Sequence, residues 1–126
     1  MTDTRPHLEP GPDHPITIDP NPGHVTVRHG SAVIAETDQA LELREADYPP
    51  VLYIPLSDVD QQLLGASGEH TYCPYKGEAS YYDIVSGDGD TLAGAVWFYP
   101  EPYDAVEPIR DHVAFYADRV TVTRES

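Results

Sequence analysis

Apolar residues in this chain alternate with polar ones in short runs, and proline or glycine closes most of the runs. Val25 and Val27 flank Thr26, Leu41 and Leu43 flank Glu42, and Ile16 and Ile18 flank Thr17. A period of two places such residues on one face of a β-strand. Gly30-Ser31 is a two-residue turn of the hairpin kind, and Gly87-Asp88-Gly89-Asp90 is another turn. Strands do not alternate with long helical patterns, so a parallel βαβ sheet is not expected. The expected fold class is all-β: a mainly antiparallel, tent-like or open-barrel small domain of about eight short strands with one or two short helices.

The runs place strands at His24 to His29, Ala32 to Thr37, Leu41 to Arg44 and Val51 to Ile54. Thr71 to Cys73 and Ala79 to Val85 flank a Pro-Tyr-Lys-Gly turn. Leu92 to Tyr99 is the longest apolar run and the expected central strand. Val113 to Tyr116 and Arg119 to Thr123 are expected to form a last hairpin across Ala117-Asp118. Ser57 to Leu64 is the best helix candidate, with Ser57 as cap, Asp60 as reciprocal partner and Gly65 as stop. Asp104 to Asp111 is expected to hold a helical turn with Val106 and Ile109 inward. Residues 1–23 read as a proline-rich N-terminal arm and residues 24–126 as a single β domain. Within the arm, six prolines deny regular structure, although Ile16 to Asp19 can pair as an edge strand.

Charge narrows the partners. Seven basic residues stand against 22 acidic ones, a formal net charge of −15. Such a surface repels phosphate backbones and anionic lipid, so nucleic acid and membrane surfaces are not expected partners. No apolar run approaches the ~20 residues of a membrane span, and no signal peptide is evident, so a cytoplasmic location is expected. A single cysteine makes neither an internal disulfide nor a Cys-based structural zinc site.

Residues His70 to Tyr82 concentrate the unusual chemistry. They hold the only cysteine, Cys73, the only lysine, Lys76, and the tyrosines Tyr72, Tyr75, Tyr81 and Tyr82. Lys76 reads as an anion-binding or proton-transfer lysine in a tyrosine-lined cleft, or as a structural ion pair with Glu45, Glu78 or Asp83. Cys73 reads as a thiol activated by the nearby cation, or as a small buried core residue. Arg44 can grip a carboxylate or phosphate, or pair with a neighbouring acid. Trp97 and Tyr99 share a strand face, and with Tyr53 and Tyr81 they form an expected aromatic wall. Nine tyrosines against two phenylalanines favour a pocket or an interface over a dry core, because each hydroxyl needs a partner. The histidines lack the further ligands of a zinc site, and no phosphate-binding glycine motif or Gly-x-Ser-x-Gly elbow is present. No metal and no cofactor is indicated.

Four stretches resemble the bacterial family called domain of unknown function 427. They are Arg44-Glu45 to Pro55 with Tyr48-Pro49-Pro50, Thr71 to Tyr82 with Cys73-Pro74-Tyr75-Lys76-Gly77, Ala95 to Pro102 with Trp97 and Tyr99-Pro100, and Val113 to Val122 with Ala114-Phe115-Tyr116. The resemblance covers most of residues 24–123 and leaves the arm outside. It implies a tent-like all-β fold in which antiparallel sheets meet at an angle, a fold also found in methionine sulfoxide reductase B. Those enzymes rely on cysteine pairs, so neither their zinc nor their chemistry carries over to a chain with one cysteine. The family sometimes carries a nucleotidyltransferase label, yet no paired-aspartate metal motif stands behind a Gly-Ser turn here. The resemblance implies no activity.

The resulting expectation is a domain that binds an unknown small molecule, with ligand contacts from Arg44, Tyr53, Lys76, Tyr81, Trp97 and Tyr99. An alternative is a non-enzymatic interaction module or homodimer built on the same aromatics. A second alternative is a small enzyme with Lys76 as acid or electrostatic stabiliser, Glu45 as base and Cys73 as nucleophile.

Overall fold

The computed structural model describes residues 5–85 and 91–125. Its strands are β1 (Ile16–Pro20), β2 (His24–His29), β3 (Ala32–Thr37), β4 (Leu41–Glu45) and β5 (Val51–Pro55), followed by β6 (Leu64–Cys73), β7 (Gly77–Val85), β8 (Thr91–Phe98), β9 (His112–Phe115) and β10 (Thr121–Glu125). Seven of them form one sheet in the order β1-β4-β5-β9-β8-β7-β6, and the other three form a second in the order β10-β2-β3. Every strand pair is antiparallel. The fold is therefore an all-β small domain with no closed barrel.

Alternation along the strands sorts side chains between two cores. Ile54, Val96 and Val113 join Val25, Val27, Ile34, Ile84 and Phe115 on one face of the large sheet. Their chain neighbours Tyr53, Trp97 and Ala114 lie on the other face, with Leu43, Tyr81, Tyr99, Val106 and Ile109. The first face is closed by the three-stranded sheet, which supplies Val25, Val27 and Ile34. Over the second lies a 3-10 segment, Asp104–Ile109, whose Val106 and Ile109 are fully buried. Burying an aliphatic side chain of this size contributes roughly 1.5–3 kcal/mol, so both layers are well anchored.

Several expectations change. Ser57 to Leu64 is not one helix but two 3-10 turns, Leu56–Asp58 and Gln61–Leu63. Between them Val59 bridges Ala35 of β3, and that extended pairing interrupts the helix. Asp60, not Ser57, is the cap, accepting from Gln62 N at 3.1 Å. Leu64 and Gly65 begin β6, so the strand expected at Thr71 starts seven residues earlier through a Gly-rich stretch that lacks an apolar alternation. The central strand is the four-residue β9, not β8. β9 and β10 are not a hairpin: β10 crosses to the small sheet and pairs with β2. The Gly30-Ser31 turn connects β2 and β3 as expected, whereas the expected turn at residues 87–90 lies outside the described residues. Ile16–Pro20 pairs with β4 at the sheet edge. Among the described residues no helix is long and apolar enough to cross a membrane.

One glycine is dictated by backbone geometry. Gly77 opens β7 at a φ of 111°, and a Cβ there would stand 3.3 Å from the carbonyl oxygen of Glu101. Gly77→Ala is expected to destabilise the fold by about 1–3 kcal/mol, the usual cost of a strained backbone position. A urea unfolding midpoint equal to that of the wild type would refute this.

Candidate functional site

The turn from Cys73 to Gly77 delivers Lys76 into the second core. Lys76 N donates to Cys73 O at 3.2 Å, and Tyr103 N donates to Lys76 O at 3.0 Å. The residue is 9% exposed, a rare degree of burial for a lysine. Its ammonium donates to Glu45 Oε1 and lies 6.0 Å from the centre of the Tyr99 ring. Glu45 ends β4, where alternation turns it to the same side as Leu43. Its other oxygen meets His14 Nε2 at 2.7 Å. The His14 ring in turn stacks on Tyr75 at 3.9 Å, with 4° between the planes.

Burial pushes the Glu45 carboxyl upward, but the hydrogen bonds from Lys76 and His14 outweigh it and hold the group below its ordinary value. Glu45 is therefore ionised at neutral pH. Three separate pieces of chain meet at this one carboxylate: the N-terminal arm, β4 and the turn before β7. The backbone fits the junction, since Ala46 adopts a left-handed φ of 48° and donates its N–H to Pro15 O at 2.8 Å.

Above the ion pair lies a cavity of about 230 Å3. Tyr53, Tyr81, Trp97, Tyr99 and Tyr116 form its walls, and Tyr48 and Pro49 stand at its mouth. Trp97 Nε1 donates to the Tyr53 hydroxyl at 3.2 Å, and the two rings meet edge to face. Tyr81 shares a 2.8 Å hydrogen bond with Thr71 Oγ1. Burial raises the phenols of Tyr53 and Tyr99 far above their ordinary value, for Tyr53 against the weaker opposing effect of the Trp97 hydrogen bond. Burial and a hydrogen bond with Tyr81 push Tyr116 up to about 12. All three are neutral hydroxyls at physiological pH. Tyr99 is 7% exposed, and among the described residues its hydroxyl has no hydrogen-bond partner, although no sealed polar side-chain atom lacks one. Tyr99 is part of the cavity wall.

Of the residues expected to act, Lys76, Glu45, Tyr53, Tyr81, Trp97 and Tyr99 converge on this cavity. Arg44 does not. Along β4 it faces away from Glu45, its side chain is 65% exposed, and it pairs with Glu42 two residues away at 2.7 Å. Cys73 packs against the second core beside the cavity and is not part of its lining. Sequence reasoning missed His14, Tyr48 and Tyr116. His14 lies in the arm, far from Glu45 along the chain, and no local pattern links the two. Tyr48 and Tyr116 carried a signal in the Tyr-Pro-Pro and Ala-Phe-Tyr runs. Among the described residues no group of three or more His, Cys, Asp or Glu is arranged to hold a metal ion.

Residues 17–126 match a family model described as Domain of unknown function (DUF427). The match begins at the second residue of β1, so it takes in the edge strand as well as the body. No curated protein matches the chain.

The ion pair makes two measurable demands. Lys76→Met leaves Glu45 buried with only His14 as partner and is expected to cost about 3–5 kcal/mol, while Lys76→Met with Glu45→Leu recovers most of the loss. Urea unfolding of wild type, Lys76→Met, Glu45→Leu and the double variant tests this, and equal losses in Lys76→Met and the double variant would disprove it. The second demand concerns pH. A carboxyl depressed in the folded state contributes stability above its unfolded value, near 4.5, and loses it as pH falls through its folded value. The stability advantage of wild type over Glu45→Gln should therefore shrink between pH 5 and pH 3. A constant difference across that range would contradict the assignment.

Proposed function

The chain belongs to the DUF427 family, whose description assigns no activity, and from the geometry of its own residues we propose that it binds a small, electrically neutral molecule above Lys76. The observation that carries this reading is the buried Lys76–Glu45 pair at the floor of a cavity walled by tyrosines. Holding the fold together does not require such a pair. Well-packed apolar residues of similar volume serve stability as well or better, because desolvating two charges costs several kcal/mol. A pair left open to a cavity instead offers a ligand fixed donors and acceptors at low reorganisation cost.

Other features support the same reading. The Tyr99 hydroxyl is a polar group with no partner among the described residues, set in the wall. Tyr53 and Trp97 lock each other through a hydrogen bond, so the aromatic wall is pre-formed. Small-molecule sites are concave, apolar-walled and equipped with a few convergent polar groups. Catalysis is a weaker fit: Lys76 and Glu45 occupy each other, and the only thiol stands outside the lining. An interaction surface built on the aromatics is weaker too. The exposed large apolar residues Leu8, Val33, Tyr48, Val85 and Tyr116 are scattered over several elements, and only Tyr48 and Tyr116 border the cavity.

A thermal-shift screen of neutral, hydroxyl- or amide-bearing small molecules tests the proposal. At least one class is expected to raise the melting temperature and change Trp97 fluorescence. Tyr99→Phe should fold as stably as wild type, because its hydroxyl bonds no described residue, yet bind that class at least tenfold more weakly. A screen without a stabilising compound, or a binder indifferent to Tyr99→Phe, would overturn the reading.

A further inference from the structure

A second cavity, of about 320 Å3, lies on the opposite face of the large sheet. Strand β5 shows the relation: Tyr53 lines the first cavity, Leu52 and Ile54 line the second, and Val51 borders both. The second lobe is built from the seam between the two sheets. Val27 and Val122 come from the small sheet, and Leu52, Ile54 and Phe115 from the large one. Its lining is apolar apart from Trp97, Tyr116 and Arg124, the last engaged by Asn21 and by Glu42 at 2.9 Å.

Backbone pairing between the two spaces is incomplete. β5 and β9 pair only at Ile54–Val113 and Pro55–His112. Beyond Ile54, toward Val51, β5 stays bonded to β4 and β9 to β8, but no ladder joins β5 to β9. Side chains take over where the backbone bonding ends. Val51, Trp97 and Tyr116 line both cavities, and the rings of Trp97 and Tyr116 rest 4.5 Å apart. Each cavity alone sits near or below the small end of ordinary ligand sites, roughly 300–1,000 Å3, and together they fall inside that range.

We propose that the two cavities are lobes of one site for a neutral amphiphile, whose polar head lies at Lys76, Glu45 and Tyr99 and whose alkyl chain passes Trp97 into the seam between the sheets. The proposal rests on the ligand-binding reading above and extends it to the class of ligand. The head is uncharged because Lys76 and Glu45 already neutralise each other, and because a chain of net charge −15 opposes an anion. The tail is apolar because the seam offers it no polar group that is not already bonded. A small molecule suits a recessed lobe better than a protein partner does, since Tyr116 is the one exposed large apolar residue bordering it among those described.

Three probes separate head from tail: octanamide, octanoate and acetamide, titrated against the wild-type protein with Trp97 fluorescence as readout. Each buried methylene is worth roughly a three- to fourfold gain in affinity. Octanamide is therefore expected to bind at least tenfold more tightly than acetamide, and at least tenfold more tightly than octanoate. Val122→Trp, which fills the lobe from the edge strand β10, should remove the advantage of the chain, and Leu52→Trp serves as an independent second variant. Octanamide binding no tighter than acetamide, or chain-dependent binding unaffected by both variants, would overturn the amphiphile proposal. If acetamide binds as tightly as octanamide and its binding still depends on Tyr99, the lobe is refuted while the first reading stands. If octanamide binds with its chain advantage but Tyr99→Phe changes nothing, the lobe stands and the neutral head at Tyr99 is refuted.

Discussion

The contact between Lys76 and Glu45 is the constraint around which the second face of the large sheet is arranged. Two charges stand at a place where both side chains are nearly buried. Desolvation opposes them, so the surrounding residues must hold them in good geometry and satisfy what remains. The chain meets that demand from three directions. β4 fixes Glu45, a turn closed by Gly77 fixes Lys76, and His14 of the arm takes the second carboxylate oxygen. Tyr75 then holds the imidazole flat against its own ring. The proline-rich arm is thereby part of the site, and the same segment continues into the edge strand β1.

The sheet carries this polar junction without losing its core because alternation divides the labour between faces. Ile54, Val96 and Val113 serve a dry aliphatic layer under the small sheet, while Tyr53, Trp97 and Ala114, one residue on or back, serve the aromatic layer. Tyrosine in place of phenylalanine on the second face gives walls that are both apolar and capable of hydrogen bonding. Trp97 and Tyr53 use that capacity on each other, Tyr81 uses it on Thr71, and Tyr99 keeps it available. A wall with most of its polar groups satisfied internally is rigid. The remaining free group then has a defined direction.

Much of this was legible in the residue pattern, and the limits of legibility are physical. Period-two alternation fixed the strand faces, and with them the company of Tyr53, Tyr81, Trp97 and Tyr99. The same alternation also rules out Arg44, since a residue one step before Glu45 on a strand points the other way, and the aromatic cluster nearby obscured that. The strand from Leu64 to His70 carries glycine, serine and glutamate instead of apolar residues, and is held in place by pairing with β7, which leaves no local signal. The route of β10 depends on a crossover to β2, a long-range pairing in which two short apolar runs near each other in sequence read as a hairpin. His14 is the sharpest case. Its role comes from packing of the arm against Glu45, a contact that only the folded chain creates.

Charge bears on what the proposed site would accept. The molecule is strongly acidic, and its cavity floor contains the single lysine matched against a single ionised carboxylate. An anionic ligand approaches against the field of the whole protein and finds a cation already taken. A cationic ligand is drawn by that field and by the aromatic faces, but at the floor it meets the ammonium of Lys76. Only a neutral molecule escapes both penalties, and it can still accept from the Tyr99 hydroxyl or share the polar groups of the pair. In the proposed function, the fixed, self-compensated charge would act as a filter. It would discriminate through the cost of disturbing Lys76 and Glu45, and that cost is high because both are buried.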